Sequence, residues 1–310
     1  MSIETKQKII AIVGQTASGK SDIAVNIALF IKKNAKKFKT RGAEIISADS
    51  RQVYKHLNIG SNKITKKEMC GIKHHLLDVA SPKKIFSASQ YQKLSQKSIN
   101  KIIRENKIPV VCGGTGFYVD ALIYGTIFPK VKPNLKLRRK LEKISVKELF
   151  EILKQKDPNR AENIDSKNKR RLIRALEINI LTGKPIINLK KDSKFQTLWI
   201  GLSADKSTIK EKISKRLEKR LNKGLINEVK NLHQKYNLSW KKLESFGLEY
   251  RFVAQFLEKK ITKEKMKEMI ISESAKYAKR QMTWFNRNKD IIWINSKQKI
   301  FNLIKKFIKN

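Results

Sequence analysis

The sequence predicts an α/β fold, in which helices flank a parallel sheet and a small all-helical domain is inserted. Apolar runs typical of buried strands occur at residues 9–13, 43–48 and 108–112, and segments with helical periodicity separate them. Each run ends in Gly, Asp or Thr, whereas no strand pattern occurs between about residues 125 and 193. The expected organisation is a first part of the core over 1–124, a helical insertion over 125–193, and the remainder of the core with C-terminal helices over 194–310.

The first apolar run leads into a glycine-rich loop of the pattern G-x-x-x-x-G-K-S, and a helical pattern follows at once. Such a loop directs several backbone N–H groups and a helix N-terminus at one anion, while Lys20 adds a positive charge. Ser21 is placed to bind a magnesium ion held by that anion. The core is therefore expected to be P-loop NTPase-like, with ATP as the default ligand and a diphosphate as an equal fit. The predicted binding residues are Gly14, Gln15, Thr16, Ala17, Ser18, Gly19, Lys20 and Ser21.

Polar residues and glycines follow the second and third predicted strands. Asp49 ends the second strand, and Gly113 to Gly116 end the third. Ligands collect at the carboxyl ends of strands in open α/β sheets, so Asp49 is expected near the phosphate loop if the two strands are neighbours. A turn or helix cap is the alternative role for Asp49. His74 and His75 have no third ligand nearby, and we expect them to pack or to form hydrogen bonds.

The predicted insertion is basic and helical. Helical stretches at 146–154 and 170–181 precede Gly183 and Pro185, and residues 197–202 return to the sheet. Helical spacing places three arginines on one side of the second stretch and an apolar set on the other, so the arginines are expected to face solvent. This basic stripe is either a solvated surface or a contact for nucleic-acid phosphates. The arginines are Arg170, Arg171 and Arg174, and the apolar set is Ile173, Leu176 and Ile180.

The last third of the chain is predicted to be helical over 206–232, 240–257 and 263–288, with a strand at 291–294 and a basic amphipathic helix at 297–310. Basic and aromatic residues alternate near the end of the third helical segment. Four of them share a face that is suited to stacking a base or holding a phosphate, and the alternative is that Trp284 and Phe285 are ordinary core residues. They are Tyr277, Arg280, Gln281 and Trp284.

The charge of the chain favours a polyanionic partner. Seventy Lys and Arg stand against 27 Asp and Glu, which gives a formal net charge of +43. A genome with skewed composition would also enrich Lys, Ile and Asn and is the alternative explanation. Two cysteines provide neither a disulfide framework nor a zinc site. No apolar run approaches the roughly 20 residues that span a bilayer, and no signal peptide precedes the first strand, so we expect a cytoplasmic protein without membrane attachment.

Several segments together resemble the tRNA dimethylallyltransferases, also called tRNA isopentenyltransferases. The segments occur in the family's order over nearly the whole chain, which makes the series far more specific than the phosphate loop alone. The matching segments are 14–21, 47–54, 59–60, 74–78, 113–118, 170–177 and 279–285.

The resemblance implies transfer of a dimethylallyl group from dimethylallyl diphosphate to N6 of adenosine 37, beside the tRNA anticodon. Lys20, Thr16, Ser18 and a Mg²⁺ ion would neutralise the diphosphate leaving group, and Asp49 would act as the base. Arg251 is a further implied contact to diphosphate or tRNA, although Glu249 stands where many members have Gly. The implied partners are the tRNA anticodon stem-loop and dimethylallyl diphosphate, with a monomeric chain. The implied tRNA-binding residues are Asp49, Ser50, Arg51, Gln52, Thr115, Arg138, Arg170, Arg171, Arg174, Lys279, Arg280, Gln281 and Trp284.

Three other functions use the same phosphate loop. A small-molecule kinase would explain the loop and Asp49 but would leave the basic insertion unused. A nucleotide switch or motor would need an acidic strand end for magnesium, whereas the third strand ends Val111-Cys112-Gly113. A prenyltransferase acting on free AMP would have little use for basic helices in the second half of the chain.

Overall fold

A computed structural model describes residues 6–185, 193, 195–203 and 206–309. The chain forms two compact units: a core unit of Met1–Gly125 with Asp192–Asn310, and a helical unit of Thr126–Lys191. The bounds of the helical unit differ by one or two residues from the insertion expected at 125–193.

The strands are β1 (Gln7–Gly14), β2 (Ala43–Ser47), β3 (His74–His75), β4 (Ile108–Gly113), β5 (Phe195–Leu202) and β6 (Ile292–Trp293). The helices are α1 (Lys20–Lys33), α2 (Ala88–Arg104), α3 (Gly116–Ile123), α4 (Leu135–Glu142), α5 (Val146–Lys156), α6 (Pro158–Glu162), α7 (Lys169–Thr182), α8 (Lys206–Asn222), α9 (Leu225–Gln234), α10 (Trp240–Ser245), α11 (Leu248–Leu257), α12 (Lys263–Phe285) and α13 (Lys297–Lys309). Among the helices within the described ranges, none is long and apolar enough to cross a membrane.

The strands form one six-stranded sheet in the order β3-β2-β4-β1-β5-β6. All five neighbouring pairs are parallel. Cys112 of β4 lies opposite Ile12 of β1 on one side and opposite Ser47 of β2 on the other. The central strands β1, β2 and β4 are apolar almost throughout because helices cover both faces of the sheet. The predicted α/β fold with a parallel sheet is confirmed, and the carboxyl ends of β1, β2 and β4 meet at one edge.

Alternate residues of β1 enter two separate cores. Ile9, Ala11 and Val13 pack with the cluster that includes α2, α3 and α9 to α12. Ile10 and Ile12 pack on the opposite face with α1 and α13. The expected C-terminal amphipathic helix is confirmed, since α13 buries its apolar residues, Ile300, Ile304 and Ile308, against this second core.

Two of the long C-terminal helices expected from the sequence are interrupted. The segment 206–232 divides into α8 and α9 at Gly224, which caps α9 with φ 93°. The segment 240–257 divides into α10 and α11 at Gly247, whose φ is 75°. Both glycines adopt positive φ values that L residues rarely adopt. Each therefore separates two helices and lets the second begin in a new direction.

The helical unit has its own core. Four helices, α4 to α7, surround a cluster that includes Leu149, Leu153, Leu172 and Leu176. α5 begins at a capping box in which Ser145 and Glu148 exchange hydrogen bonds, and α7 ends at Gly183 with φ 63°. Ile180, which was expected on the buried side of α7, is instead 43% exposed.

Candidate active site

A cleft of about 830 Å³ opens at the carboxyl ends of β1, β2 and β4 in the core unit. Its walls are the glycine-rich loop, the segments after β2 and β4, the loop 58–63, and side chains of α8, α11 and α12. The cleft therefore brings the phosphate loop and Asp49 together, as the sequence predicts for neighbouring strand ends.

The glycine-rich loop leaves β1 through a tight turn. Gly14 has φ 139°, and a Cβ atom there would lie 2.0 Å from the carbonyl oxygen of Leu202 on β5. Gly19 caps α1 with φ 82°, so the N–H groups of the first turn of α1 point toward the cleft. The Nζ atom of Lys20 donates hydrogen bonds to the Gln15 carbonyl and, at 3.4 Å, to the Ser18 hydroxyl. The loop is closed around Lys20, the first residue of α1.

Two half-buried cations lie at this loop. Burial and the nearby Arg216 together lower the pKa of Lys20 from 10.5 to about 8, against the opposing effects of Cys112 and Asp49. Burial and the neighbouring Arg220 lower the pKa of Arg216 from 12.5 to about 10. Arg216 donates a hydrogen bond from Nη1 to the Thr16 hydroxyl at 3.3 Å. Both side chains are cations that burial removes from water, and a bound anion would offset the cost of that burial.

The segment after β2 places Asp49 at the cleft. Its Oδ1 atom accepts hydrogen bonds from the backbone N–H groups of Arg51 at 2.7 Å and Gln52 at 3.2 Å. The turn-forming role considered for Asp49 is thus present, but it occupies only Oδ1. Within the described residues, Oδ2 accepts no hydrogen bond.

Thr115 joins the ends of β2 and β4. Its hydroxyl accepts a hydrogen bond from the Ser50 N–H at 3.1 Å. Tyr277 of α12 also lines the cleft, and burial together with the charge of Asp49 raises the pKa of its phenol, while a hydrogen bond with Thr115 opposes this rise. Asp49 and Tyr277 therefore line the cleft, and Thr115 links the backbone next to Asp49 to the end of β4.

Arg51 and Arg251 approach each other at the start of α11. A Cβ atom on Gly247 would lie 3.9 Å from Nη2 of Arg51 and 4.0 Å from Nη2 of Arg251. Glu249, which stands where many of the resembled proteins have Gly, is 8% exposed and pairs with Arg220 of α8. The glutamate is accommodated by this ion pair, and Arg251 still lines the cleft.

The loop 58–61 is fixed by one carboxylate. Glu228 of α9 accepts hydrogen bonds from the backbone N–H groups of Asn58, Ile59 and Gly60 at 3.0, 2.7 and 3.0 Å. Tyr250 donates to the same carboxylate at 2.9 Å and accepts from the Ser61 N–H at 3.1 Å. Any Cβ on Gly60 would lie 2.6 Å from the Tyr250 ring, so this rim of the cleft is closely packed.

The oxygen ligands that magnesium prefers are present at the loop. The Ser21 hydroxyl lies in the first turn of α1, lines the cleft, and makes no hydrogen bond to any described residue. Within the described ranges, no group of three or more His, Cys, Asp or Glu side chains could hold a metal ion by itself. The residues fit a Mg²⁺ ion that takes most of its ligands from a bound diphosphate and water.

A family model described as IPP transferase matches residues 52–288. The chain belongs to this family. The tRNA dimethylallyltransferase of Prochlorococcus marinus (strain MIT 9312) is 37% identical over 96% of this chain and 94% of its own length. That of Alkaliphilus metalliredigens (strain QYMF) is 36% identical over 98% of this chain and 97% of its own length.

Solved structures of similar proteins have the same fold. The full-length tRNA isopentenylpyrophosphate transferase from Bacillus halodurans superposes with a TM-score of 0.70 at 31% identity, over 98% of this chain and 97% of that chain. A eukaryotic dimethylallyltransferase, described in crystallographic snapshots of its action on tRNA, superposes with a TM-score of 0.78 at 26% identity. The second alignment covers 98% of this chain and 80% of the eukaryotic one.

Two residues expected at a base-stacking surface of α12 are directed inward in this member of the family. Gln281 is 6% exposed and hydrogen-bonds with the Thr16 N–H and the Gly114 carbonyl. Trp284 donates from Nε1 to Asp120 at 2.8 Å. Tyr277, Arg280 and Gln281 all line the cleft, so the expected face is present for these three, while the Trp284 indole is used in its hydrogen bond to Asp120. Lys279 and Arg280 are exposed on the same helix.

The predicted arginine stripe of the helical unit is also corrected in part. Arg170 and Arg171 are exposed, but Arg174 pairs with the buried Glu177 and donates to the Val131 carbonyl at 3.0 Å. Arg138 forms a bidentate pair with the same Glu177 at 2.7 and 2.8 Å. The guanidinium groups of Arg138 and Arg174 thus neutralise a carboxylate inside the helical unit instead of facing solvent freely.

Three residues that shape the cleft were not predicted from the sequence: Arg216 and Arg220 line it, and Glu228 holds the loop at its rim. Arg216 and Arg220 are four apart on α8 and therefore lie on one face of that helix, a spacing that was available as a signal. Glu228 acts on a loop about 170 residues earlier in the chain, and no local pattern indicates that contact.

Proposed function

We propose that this chain transfers a dimethylallyl group from dimethylallyl diphosphate to N6 of adenosine 37 beside a tRNA anticodon. Membership of the family and the names of its relatives support the activity. The observation that carries the assignment to this cleft is the presence of two half-buried cations, Lys20 and Arg216, at the phosphate loop, with Asp49 in the same cleft. Cations of this kind favour a diphosphate leaving group.

The donor diphosphate would lie on the N-terminus of α1. Backbone N–H groups of the loop, Lys20, Arg216 and the Thr16 hydroxyl would hold its oxygens. Ser21 would hold Mg²⁺ against the diphosphate, and the ion when bound adds positive charge to the leaving group. All these groups stabilise the negative charge that grows on the diphosphate oxygen as the allylic carbon–oxygen bond breaks.

The acceptor amine would approach from the side of Asp49. The N6 lone pair forms the new bond to C1 of the dimethylallyl group, while the bond between C1 and the diphosphate oxygen breaks. One N6 proton then passes to Asp49, whose Oδ1 remains hydrogen-bonded to two backbone N–H groups while Oδ2 takes the proton. Tyr277 lines the same space and would orient the adenine, and Thr115, which accepts a hydrogen bond from the Ser50 N–H, would hold the segment of Asp49 in place.

The tRNA would be held by cations without a carboxylate partner. In the core unit, Arg51, Lys279, Arg280 and Arg251 meet this description among the residues that the structure describes. In the helical unit, Arg170 and Arg171 are exposed. Phosphate contacts of this kind position an RNA without reading its bases. We propose that Arg138 and Arg174 affect tRNA binding indirectly, because their ion pairs with Glu177 stabilise the helical unit that carries Arg170 and Arg171.

A transfer assay tests the proposal. Labelled dimethylallyl diphosphate and Mg²⁺ are offered with an unmodified anticodon stem-loop that carries A36-A37-A38, with free AMP, or with ATP and no acceptor. Label on adenosine 37 supports the proposal. Label on AMP alone supports a free-nucleotide prenyltransferase, and ATP consumption without transfer supports a kinase.

The variant Asp49→Asn tests the base. Asparagine keeps an oxygen for the two backbone N–H groups, so the turn after β2 is retained while the proton acceptor is lost. We expect the transfer rate to fall about 100- to 10,000-fold with stem-loop binding unchanged. The control Asp290→Asn removes an exposed carboxylate elsewhere in the core unit and should leave the rate unchanged. Equal rates for Asp49→Asn and wild type would exclude Asp49 as the base.

A further inference from the structure

Gln281 links the phosphate loop to the end of β4. Its Oε1 atom accepts a hydrogen bond from the Thr16 N–H at 2.7 Å, and its Nε2 atom donates to the Gly114 carbonyl at 2.8 Å. The residue is 6% exposed, and its hydrogen bond to the Gly114 carbonyl is buried, whereas the one from Thr16 is partly buried at the cleft. One amide on α12 thus ties together two chain segments that are about 100 residues apart in the sequence.

The surroundings are shaped for this amide. A Cβ atom on Gly114 would lie 2.2 Å from Nε2 of Gln281, so a larger residue at that position would displace the side chain. One turn later on α12, Trp284 packs equally closely on Gly116, where a Cβ would lie 2.2 Å from its ring. The glycines after β4 therefore allow α12 to approach the strand end within hydrogen-bonding distance.

The amide belongs to a longer chain of hydrogen bonds. The Gly114 carbonyl precedes Thr115, whose hydroxyl accepts from the Ser50 N–H, and Ser50 follows Asp49 directly. A continuous path therefore runs from the phosphate loop through Gln281 and Thr115 to the proposed base. The path crosses β1, β4 and β2, the three strands whose ends form the cleft.

We propose that Gln281 is a positioning residue that fixes the distance between the diphosphate loop and the acceptor-side residues Asp49 and Thr115. This inference rests on the proposed function. Gln281 binds neither substrate, and the Thr16 N–H that it occupies is withdrawn from the anion-binding set. Its effect is on the alignment of the two substrates, so it acts on the transfer step and leaves the binding of each substrate alone nearly unchanged.

The site requires one donor and one acceptor on the same planar group. A neutral amide supplies both, whereas an ionised carboxylate supplies only acceptors and would repel the Gly114 carbonyl. A protonated carboxyl group has one donor and one acceptor and would restore the pattern. Methionine has similar length and volume but can form neither hydrogen bond.

The first test compares Gln281→Met with wild type under single-turnover conditions with both substrates saturating. We expect the transfer rate to fall about 100-fold, the loss typical of a misplacement of about 1 Å. The dissociation constants of Mg²⁺-pyrophosphate and of the anticodon stem-loop, measured separately by calorimetry, should change by less than about threefold. The control Thr283→Ala, which removes an exposed hydroxyl bonded only within α12, should leave rate and binding unchanged.

The second test uses Gln281→Glu and separates alignment from loss of folding. We expect the ratio of its rate to the wild-type rate to rise about tenfold or more between about pH 8 and about pH 5.5, because protonation restores the missing donor. The same ratio for Gln281→Met should be independent of pH. A flat ratio for Gln281→Glu, or a Gln281→Met rate within about threefold of wild type, overturns the positioning role. A wild-type chain that binds Mg²⁺-pyrophosphate but transfers no label overturns the proposed function itself.

Discussion

Replacement of Glu177 by glutamine should destabilise the helical unit strongly. The carboxylate is fully buried and accepts four hydrogen bonds: from the Asn134 N–H at 2.7 Å, from two nitrogens of Arg138, and from Arg174. Burial by itself raises the pKa of Glu177, but the hydrogen bonds from the two arginines and from Asn134 outweigh it and lower the pKa from 4.5 to about 2. The carboxylate therefore holds α4 and the segment before it against α7.

The size of the expected destabilisation follows from the lowered pKa of Glu177. At about 1.4 kcal/mol for each pH unit, a decrease from 4.5 to about 2 corresponds to about 3 kcal/mol of folding free energy at neutral pH. Because the pKa is lower in the folded state, this stabilisation is fully present above pH 4.5 and is lost as the pH falls toward 2. Breaking a buried ion pair by removing one partner typically costs about 3–5 kcal/mol, which agrees with this value.

Amide hydrogen exchange followed by mass spectrometry measures the effect. All four tryptophans lie in the core unit, so intrinsic fluorescence does not report on the helical unit; they are Trp199, Trp240, Trp284 and Trp293. At pH 7, peptides of α4 and α7 in Glu177→Gln should exchange about 100-fold faster than in wild type, whereas core peptides remain unchanged. Wild-type protection, corrected for intrinsic rates, should also decrease below pH 4.5, and that of the variant should not.

Glu151→Gln is the matched control, because Glu151 is an exposed glutamate on α5 of the same unit. Its peptides should exchange at the wild-type rate. Protection in Glu177→Gln that stays within about threefold of wild type at pH 7 would refute the inference that the Glu177 cluster stabilises this unit.

Two further predictions concern the diphosphate site. Arg216→Met should raise the dissociation constant of Mg²⁺-pyrophosphate, measured by calorimetry, by about 10- to 150-fold, which is the loss of one charge-assisted hydrogen bond. Lys215 is an exposed neighbour on α8, so the control Lys215→Met should leave this constant unchanged. Because the free protein lowers the pKa of Lys20 to about 8 and a bound diphosphate favours the charged amine, pyrophosphate binding should weaken as the pH rises above 8. Calorimetry in buffers of different ionisation enthalpy should show uptake of about one proton per site at pH 9, and no uptake there would contradict this assignment to Lys20.

The parts of the site that sequence predicts correctly are those with local causes. The phosphate loop is recognisable because strand, glycines, Lys20 and the following helix are contiguous, and the position of Asp49 follows from its place at a strand end. The glycines after β4 indicated that backbone approaches something closely. The identity of the neighbours, Gln281 and Trp284, depends on the packing of a helix more than 160 residues away, which periodicity does not encode.

In the helical unit too, the sequence pattern does not predict which charged residues contact each other. Helical spacing placed Arg174 on a polar face, and the structure agrees that its side chain is only partly buried. Spacing does not reveal that Glu177 on the adjacent turn is buried, nor that Arg138 from another helix reaches the same carboxylate. A basic residue in such a pattern is equally typical of an RNA contact and of an internal ion pair, and only the location of the carboxylate distinguishes them.

The pairing of charges therefore helps to locate ligand sites in a chain with so large an excess of positive charge. With 70 basic and 27 acidic side chains, most cations have no carboxylate partner, so an unpaired surface lysine is uninformative. Among the partly buried cations, the presence or absence of a carboxylate partner is more informative, because an unpaired charge removed from water is costly. In the described residues, buried or half-buried cations with carboxylate partners include Lys63, Lys107, Arg138, Arg174 and Arg220. Lys20, Arg51, Arg216 and Arg251 form no such ion pair, and all four line the cleft. Asp49 offsets part of the charge of Lys20 and Arg216, and an anion in the cleft would offset more of it, which is the physical reason to expect phosphate groups there.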